Sequence, residues 1–189
     1  MIKVIAGKYR NLNIPIAENA TYRPSTGRFK EAVFSILTSG EFGNKQYIHN
    51  SRVLDLFSGS GSLGFEAISR GASFASFIDI NRNYLKTSEQ FAKDIGIFEN
   101  TLFLCLNALY LPMSRESYDT VFIDPPYHYE FVTKSLDVLL AGNWLNHNAL
   151  VVVELAKADE IIIPHSYQLK TKRIYGNNKL LILQYSKTD

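Results

Sequence analysis

The chain has 189 residues and a mass of 21.4 kDa, enough for one domain of ordinary size with a small appendage. Its 46% hydrophobic and 20% charged residues are typical of a soluble globular protein, and a net charge of +2 is too small to indicate nucleic-acid binding. No apolar run is long enough to span a bilayer and the N-terminus lacks the apolar core of a signal peptide, so we expect a cytoplasmic protein.

Cysteine and histidine usage limits the redox and metal chemistry open to the chain. The single cysteine, Cys105, excludes an intramolecular disulfide. Because it lies in an apolar run, we predict a buried core thiol rather than a nucleophile. The four histidines are scattered from position 49 to position 165 without the spacing of metal ligands, so we expect no metal site.

Charge is distributed unevenly along the chain. Residues 1–50 carry seven Lys and Arg against three Glu, a net charge of +4. Since the whole chain is at +2, the other 139 residues sum to −2. A basic N-terminal segment suits a polyanionic partner, and an ordinary solvated face is the alternative explanation.

The first predicted element is a short β-hairpin within residues 2–16. Two apolar segments flank a polar turn at residues 7–11. In that turn Lys8 and Arg10 stand on either side of Tyr9, a combination that is useful on RNA or DNA. The same residues are also ordinary hairpin chemistry, so both interpretations stay open.

A helix is predicted next. Apolar residues recur from Phe29 to Leu37 at the spacing of one helix face. Arg23, Arg28 and Lys30 lie off this apolar stripe. Of these, Arg23 and Arg28 are candidates for contacts with RNA phosphates, and a solvated face is again the alternative for all three.

The central unit of the sequence runs from residue 52 to residue 71. An apolar run around Asp55 predicts a strand buried on both faces, a glycine cluster follows, and a short helical pattern begins after Ser62. Gly59 and Gly61 let the chain turn sharply and let backbone N–H groups approach a ligand. Strand, glycine loop and helix together form the unit that binds nucleotide-like cofactors at a helix N-terminus.

The same loop matches the dinucleotide fingerprint G-x-G-x-x-G, ending at Gly64. Asp79 ends the next apolar run, roughly 20 residues past the first glycine, where a carboxylate can accept the ribose hydroxyls of a nucleoside. A tight turn followed by a surface Asp is the alternative. The acid at Asp55 suits the ammonium of a methionine moiety and would repel a pyrophosphate, so the loop favours S-adenosylmethionine over NAD.

The rest of the chain alternates helices and strands. After a predicted strand at 101–106, the Asn107 side chain and the Ala108 amide can read an adenine edge. The other predicted elements are a helix at 82–95, a strand at 120–123, a helix at 129–141, a strand at 149–155 and an antiparallel hairpin of 167–175 and 179–186. This order predicts an α/β fold with a doubly wound, mostly parallel, Rossmann-like sheet, a C-terminal antiparallel hairpin, and ligands at the strand C-termini.

A second site is predicted at Asp124-Pro125-Pro126-Tyr127, which follows a strand and therefore lies on the same side of the sheet as the glycine loop. The prolines remove two N–H donors, so carbonyls and the Asp124 carboxylate line the pocket edge, and Tyr127 supplies a flat face for stacking. Hydrogen bonds from a base amine to Asp124 and the Pro125 carbonyl would favour the pyramidal nitrogen that attacks a sulfonium methyl. The alternative is that the motif only ends the strand and turns the chain.

Four segments of the chain resemble one family. They are residues 4–10, 23–31, 55–64 and 124–127, and they occur in the family's order. The last segment resembles the Asp/Asn-Pro-Pro-Tyr/Phe motif of class I amino-methyltransferases. The whole chain resembles the RsmD family of bacterial small-subunit (16S) ribosomal RNA guanine-N2 methyltransferases. The first two segments are the more specific, because the last two recur across many methyltransferases.

The resemblance implies a class I S-adenosylmethionine-dependent methyltransferase whose partner is rRNA within an assembling small ribosomal subunit. Residues 1–50 would form an RNA-contacting extension, and residues 51–189 the catalytic domain. The implied site residues are Asp124, Pro125 and Tyr127 for catalysis, Asp55, Phe57, Gly59, Gly61, Asp79, Ile80, Asn107 and Ala108 for the cofactor, and Lys8, Arg10, Arg23 and Arg28 for RNA.

The chain departs from the family's pattern at three positions. Gly27 and Lys30 stand where the family usually has Asp and Arg, and Tyr127 stands where Phe is frequent. Because Lys cannot make the bidentate contacts of Arg, we expect the local contact of Lys30, with RNA or with the active-site loop, to differ. The change to Tyr127 should leave stacking intact.

Two other functions stay open. A methyltransferase of DNA adenine or of protein glutamine would share the Asp124–Tyr127 motif, although a DNA enzyme normally carries a target-recognition region for which 189 residues leave little room. A nucleotide-binding protein or an NAD oxidoreductase would use the glycine loop and leave Asp124–Tyr127 unexplained.

Overall fold

The computed structural model describes residues 2–18, 20, 27–42, 47–126 and 129–186. Within them the chain forms a two-stranded sheet and a seven-stranded sheet with α-helices packed on both faces. In chain order the elements are β1 (Ile2–Lys3), β2 (Asn13–Ile14), α1 (Gly27–Thr38), β3 (Arg52–Leu56), α2 (Ser62–Ser69), β4 (Phe74–Asp79), α3 (Arg82–Asp94), a 3-10 turn (Phe98–Asn100), β5 (Thr101–Cys105), β6 (Tyr118–Ile123), α4 (Tyr129–Ala141), β7 (Leu145–Ala156), β8 (Tyr167–Tyr175) and β9 (Asn178–Tyr185).

The large sheet has the strand order β5-β4-β3-β6-β7-β9-β8. Strand β3 pairs in parallel with β4 and β6, and β5 and β7 extend the parallel part on either side. Strand β9 then runs antiparallel to β7, and β8 antiparallel to β9. This confirms the predicted doubly wound sheet with a C-terminal antiparallel hairpin.

Side chains of the parallel strands alternate between two covered faces. On β6, Phe122 lies in an apolar cluster with α1, α2 and α3, whereas Val121 and Ile123 lie in a second cluster with α4. All three side chains are buried. Because both faces of the central parallel strands are covered, these strands appear in the sequence as unbroken apolar runs rather than as alternating ones.

The N-terminal segment contributes to the first of these cores. Val4 and Val33 are buried in the same cluster as Phe122, and the ring centroid of Phe34 lies 5.6 Å from that of Phe122. The hairpin and α1, from the described part of the first fifty residues, therefore pack directly on the large sheet. Their treatment as a separate RNA-contacting unit stays a prediction.

The predicted N-terminal hairpin forms, with two residues in each paired strand. Its turn packs against the C-terminal end of α2, where the Lys8 N–H donates a hydrogen bond of 2.7 Å to the Ser69 carbonyl. Gly7 in this turn has a φ of +83°, and a Cβ there would lie 1.8 Å from the Ser69 carbonyl oxygen. Only glycine fits this close approach.

Two side chains lie in environments that differ from the predicted ones. Cys105, predicted to be a buried thiol, is exposed, because β5 is an edge strand with an incompletely covered face. Lys30, predicted to lie on a face open to RNA or water, is 1% exposed, because the hairpin covers it. Its Nζ donates to the Lys3 carbonyl at 2.7 Å and lies 3.8 Å from the Glu66 carboxylate.

Membrane-spanning helices and metal clusters are both absent from the described residues. None of their helices is both long enough and apolar enough to cross a membrane. They contain no group of three or more His, Cys, Asp or Glu side chains placed to hold a metal ion.

Candidate active site

The carboxyl ends of β3, β4, β5 and β6 meet at one edge of the sheet, which we call the rim. Leu56 lies beside Ile78 and Ile123 at the ends of three of these strands, and Asp79 lies beside Cys105. The segments that follow are therefore neighbours: 57–61, 80–81, 106–108 and 124–126. The predicted cofactor-binding and catalytic residues within the described part of the chain all lie at the ends of these strands. Tyr127 lies outside the described residues.

The glycine loop leads from β3 into α2. A Cβ on Gly61 would lie 2.9 Å from the Phe77 ring, and one on Gly64 would lie 2.4 Å from it. The close packing of α2 on β4 thus requires these two glycines, independently of any ligand. Gly59 has another contact, because its N–H donates to Asp79 Oδ2 at 2.8 Å and ties the loop to the end of β4.

Asp55 is a buried acid beneath this loop. It is 2% exposed, and its Oδ2 accepts a 2.9 Å hydrogen bond from the Gly64 N–H in the first turn of α2. Burial raises the pKa of the Asp55 carboxyl to about 8, the Gly64 hydrogen bond opposes this shift, and the charges of Asp124 and Asp79 add to it. Within the described residues Asp55 forms no salt bridge. A positive charge brought to this point would stabilise the ionised carboxylate.

The candidate nucleoside-contacting side chains are held by local hydrogen bonds. In addition to its bond from Gly59, Asp79 accepts one from the Asn81 N–H at 2.8 Å, through Oδ1. Asn107 Oδ1 accepts one from the Leu109 N–H at 2.9 Å. Beside them Ile80 is 71% exposed, an unusual state for a large apolar side chain. An apolar surface therefore lies directly after a fixed carboxylate.

Phe57 is the first residue of the glycine loop and has a φ of +61°. Bulky side chains rarely adopt this left-handed conformation, which is associated with functional sites. Its ring is parallel to that of Phe131 on α4, with an interplanar angle of 7° and ring centroids 6.4 Å apart. The contact joins the glycine loop to the helix that follows the Asp124–Tyr127 motif. The sequence pattern did not identify Phe131 as a site residue, because it occupies an ordinary apolar position of the predicted helix.

Asp124 and Pro125 follow β6 directly and are both partly exposed. The charge of Asp124 acts on Asp55, so the two carboxyl groups lie near each other. The structure thus brings together three acids from three strand ends: Asp55, Asp79 and Asp124. Their assigned roles stay predictions.

The candidate RNA-contacting residues that the structure describes lie away from the rim. Lys8 and Arg10 are exposed in the hairpin turn at the C-terminal end of α2. The eight residues of α2 separate this turn from the glycine loop by about 10 Å, at a rise of about 1.5 Å per residue. Arg28 is exposed in the first turn of α1, and Arg23 lies outside the described residues.

Glu66 on α2 fixes the hairpin, a role that the sequence reasoning did not identify. Its side chain is fully buried and accepts hydrogen bonds from the N–H groups of Ile5 at 2.7 Å and Ala6 at 3.1 Å. The Arg70 Nε donates to it at 2.8 Å. Burial lowers the pKa of the neighbouring Lys30, and the Glu66 charge opposes that shift. The available signal was an acid within an otherwise apolar helical pattern.

The side chains of the rim fit S-adenosylmethionine. Ser58 Oγ is buried in the glycine loop and, among the described residues, has no hydrogen-bond partner. With it are three side chains: Asp55, a carboxyl group without a salt bridge among the described residues; Asp79, a carboxylate suited to ribose hydroxyls; and Ile80, which is apolar and exposed. A ligand with an ammonium group, a ribose and a planar base matches this set. A pyrophosphate would meet three acids.

The sheet order and the glycine loop define the fold of class I S-adenosylmethionine-dependent methyltransferases. The chain is similar to the solved structure of the Escherichia coli protein yhhF, with a TM-score of 0.85 and 26% identity over 99% of each chain. An RNA methyltransferase from Salinibacter ruber in complex with S-adenosyl-L-homocysteine has the same fold, with a TM-score of 0.65 and 13% identity over 88% of this chain and 96% of that one.

Residues 2–184 match the family described as Conserved hypothetical protein 95, and the chain belongs to this family, the RsmD family. Among its relatives, the uncharacterized methylase RP545 of Rickettsia prowazekii is 40% identical over 98% of each chain. Ribosomal RNA small subunit methyltransferase D of Haemophilus influenzae is 34% identical, over 93% of this chain and 89% of its own length. The resemblance inferred from four sequence segments is confirmed.

Proposed function

We propose that the chain transfers a methyl group from S-adenosylmethionine to the exocyclic N2 amine of a guanine in small-subunit (16S) rRNA. The observation that carries this is the position of Asp124 and Pro125 at the rim, beside the glycine loop and Asp79. The names of relatives from Haemophilus influenzae, Buchnera aphidicola and Escherichia coli, all Ribosomal RNA small subunit methyltransferase D, support the substrate class.

Each rim residue would hold one part of the cofactor. Asp79 would accept the ribose hydroxyls, Ile80 would cover one face of the adenine, and Asp55 would face the ammonium group. The Asn107 side chain and the Ala108 amide would read the adenine edge. When bound, S-adenosylmethionine supplies a sulfonium methyl group that an amine can attack.

The target amine needs help from the protein, because its lone pair is delocalised into the guanine ring. Asp124 and the Pro125 carbonyl would accept hydrogen bonds from its two N–H groups, which favours the pyramidal nitrogen of the transition state. Tyr127 would stack on the base. The acceptors act most strongly in the transition state, so their loss should reduce turnover more than binding.

The N-terminal segment would supply the contact with RNA. Lys8, Arg10, Arg23 and Arg28 would meet phosphates, and residues 1–50 would form an extension of the catalytic domain at 51–189. An assembling small ribosomal subunit is the substrate particle in this proposal, which makes the protein a cytoplasmic one.

Methyl mapping on ribosomal RNA tests the proposal. Purified protein and S-adenosylmethionine with an isotopically labelled methyl group are mixed with small-subunit particles, or with naked 16S rRNA, from a strain that lacks the gene. Nuclease digestion and mass spectrometry then identify the labelled nucleoside. We expect one labelled N2-methylguanosine, and labelling slowed by a factor of about 100 or more when the Asp124→Ala variant replaces the wild type.

Other outcomes would contradict specific parts of the proposal. Label on adenine or on a protein would place the chain among the other amino-methyltransferases that share the Asp124–Tyr127 motif. An absence of label on every substrate, together with tight binding of NAD, would indicate a nucleotide-binding protein. Equal labelling by the Asp124→Ala variant would leave the reaction in place and overturn the assigned role of Asp124.

A further inference from the structure

An exposed tyrosine and a lysine form a pair between the β5 loop and α4. Tyr110 is 69% exposed, and the Lys134 Nζ lies 3.7 Å from the centroid of its ring. Lys134 forms no salt bridge with any described residue, although two acids, Glu130 and Asp137, lie about one turn away on the same helix. The lysine charge is therefore held over an aromatic ring, and no carboxylate in the described part of the chain pairs with it.

The position of this pair connects it to the rim. Tyr110 lies three residues after Asn107, and its N–H donates to the Asn107 carbonyl at 2.9 Å. Lys134 lies three residues after Phe131, so the two side chains are neighbours on one side of α4. Phe131 in turn stacks on Phe57 of the glycine loop. A continuous wall of side chains thus runs from the cofactor loop outward to an exposed cation and aromatic ring.

We propose that Tyr110 and Lys134 bind the single-stranded RNA next to the target guanosine, with a base stacked on Tyr110 and a phosphate on Lys134. The inference rests on the function proposed above and adds a contact that lies nearer the rim than the hairpin cations do. The chemistry is that of single-strand binding sites, in which an aromatic face accepts any base and a nearby cation meets the backbone.

Charge and exposure both favour RNA as the occupant. The Lys134 ammonium covers part of the Tyr110 ring and leaves most of the residue open to solvent. A base amine can reach Asp124 once its nucleotide leaves the stack of a helix, and the adjoining nucleotides then also become available for contact. A cation without a carboxylate partner close to that point can neutralise a phosphate at little cost in lost ion pairs.

Binding measurements on four variants test this contact. Lys134→Ala and Tyr110→Ala are compared with Lys134→Arg, which keeps the charge, and with Lys86→Ala, which removes an exposed lysine from α3. We expect Lys134→Ala to weaken RNA binding severalfold and to make the slope of log K against log[salt] shallower by about 1. Tyr110→Ala should weaken binding about tenfold and leave the slope unchanged. Lys134→Arg should recover the wild-type slope, and Lys86→Ala should match the wild type.

Two controls separate this inference from the proposed function. Affinity for S-adenosylmethionine and the midpoint of thermal unfolding should stay at wild-type values in all four variants. If the wild type methylates rRNA and both Lys134→Ala and Tyr110→Ala bind RNA with wild-type affinity and slope, the contact does not exist and the proposed function stands. If the wild type itself methylates no rRNA, the proposed function fails first, and the contact fails with it.

Discussion

Helix α2 has a buried acid associated with each half, and the two acids have opposite surroundings. Asp55 lies under the N-terminal turn, at the rim, and forms no salt bridge within the described residues. Glu66 lies within the helix and has Arg70 at 2.8 Å, Lys30 at 3.8 Å and two backbone N–H donors. Both side chains are at most 2% exposed.

The difference separates an acid that stabilises the fold from one that we propose to contact the cofactor. An ionised carboxylate in the interior is costly unless cations and hydrogen bonds compensate it. Glu66 receives that compensation from its own chain, and it fixes the hairpin to α2. Asp55 accepts backbone hydrogen bonds from Gly64 and Leu63 but forms no salt bridge within the described residues, and burial keeps its pKa high. The ammonium group of the proposed cofactor would supply a positive charge at this point.

We expect the largest effect, on the free energy of unfolding, when Glu66 is replaced. Glu66→Ala should lower the free energy of unfolding by about 3–5 kcal/mol, because it leaves buried Lys30 and two backbone N–H groups without their partner. Urea denaturation measures this. The double variant Glu66→Gln with Lys30→Met removes both charges and keeps one of the two acceptor oxygens, so it should recover part of the loss. Equal instability of the two variants would show that Lys30 and Glu66 do not act as a pair.

Asp55, the buried acid at the rim, should make the free energy of unfolding depend on pH. Its pKa is about 8 in the folded protein and 3.8 in the reference state. Between these values the folded protein holds a proton that the unfolded chain has released, so this stability is full below about pH 4 and is lost as the pH rises to 8. The slope should reach at most about 1.4 kcal/mol per pH unit.

Asp55→Asn provides the control for that slope, because asparagine can still accept the Gly64 hydrogen bond and does not titrate. The difference in unfolding free energy between wild type and variant should shift in favour of the variant from pH 5 to pH 8. Other titrating groups cancel in this difference. A difference that is constant with pH would mean that Asp55 is ionised at pH 5 already.

Asp124, the third acid of the rim, should affect the rate of methyl transfer rather than the stability of the fold. Asp124→Ala should reduce methyl transfer by a factor of about 100 or more, the scale for losing a transition-state hydrogen bond, and leave cofactor affinity nearly unchanged. Single-turnover assays and calorimetry measure the two quantities. Turnover within about threefold of wild type would make Asp124 a structural residue. Since its charge adds to the pKa shift of Asp55, the variant should also lower that pKa.

Replacing Asp79 tests whether each acid of the rim contacts a different part of the cofactor. Asp79→Ala should weaken S-adenosylmethionine binding by about 1–3 kcal/mol, the range for removing a partner of buried polar groups. Because Asp79 also holds the Gly59 N–H, Asp79→Asn is the matched variant and should lose less. Wild-type affinity by calorimetry in the alanine variant would overturn the ribose assignment.

The smallest effect is expected at the hairpin that Glu66 fixes. Replacing Lys8 and Arg10 by Ala should weaken RNA binding and make the slope of log K against log[salt] shallower by about 1–2 units, since two phosphate contacts disappear. A salt series on a ribosomal RNA fragment, or on an assembling particle, measures both. Cofactor affinity should not change. An unaltered slope would mean that the hairpin is solvated and does not touch the RNA backbone.

The sequence by itself determined the order of the elements and the segments that form the rim. Strands buried on both faces, glycine turns and helical stripes are patterns of a few consecutive residues, so each can be recognised locally. Once they alternate as strand and helix, a parallel sheet must place the glycine loop, Asp79, Asn107 and Asp124 at the same edge. The motifs of the site were therefore found before any distance was known.

The tertiary structure decided how side chains far apart in sequence meet. Glu66 accepts a hydrogen bond from Ile5, which is 61 residues away in the sequence. Lys30 is buried because the hairpin covers it. Phe57 stacks on Phe131, which lies on a helix three strands later in the chain. Cys105 is exposed because its strand lies at the edge of the sheet. No local period specifies such contacts, since they depend on which faces the fold brings together. Burial and charge compensation are set by those contacts, and they distinguish the structural acid of α2 from the acid at the rim.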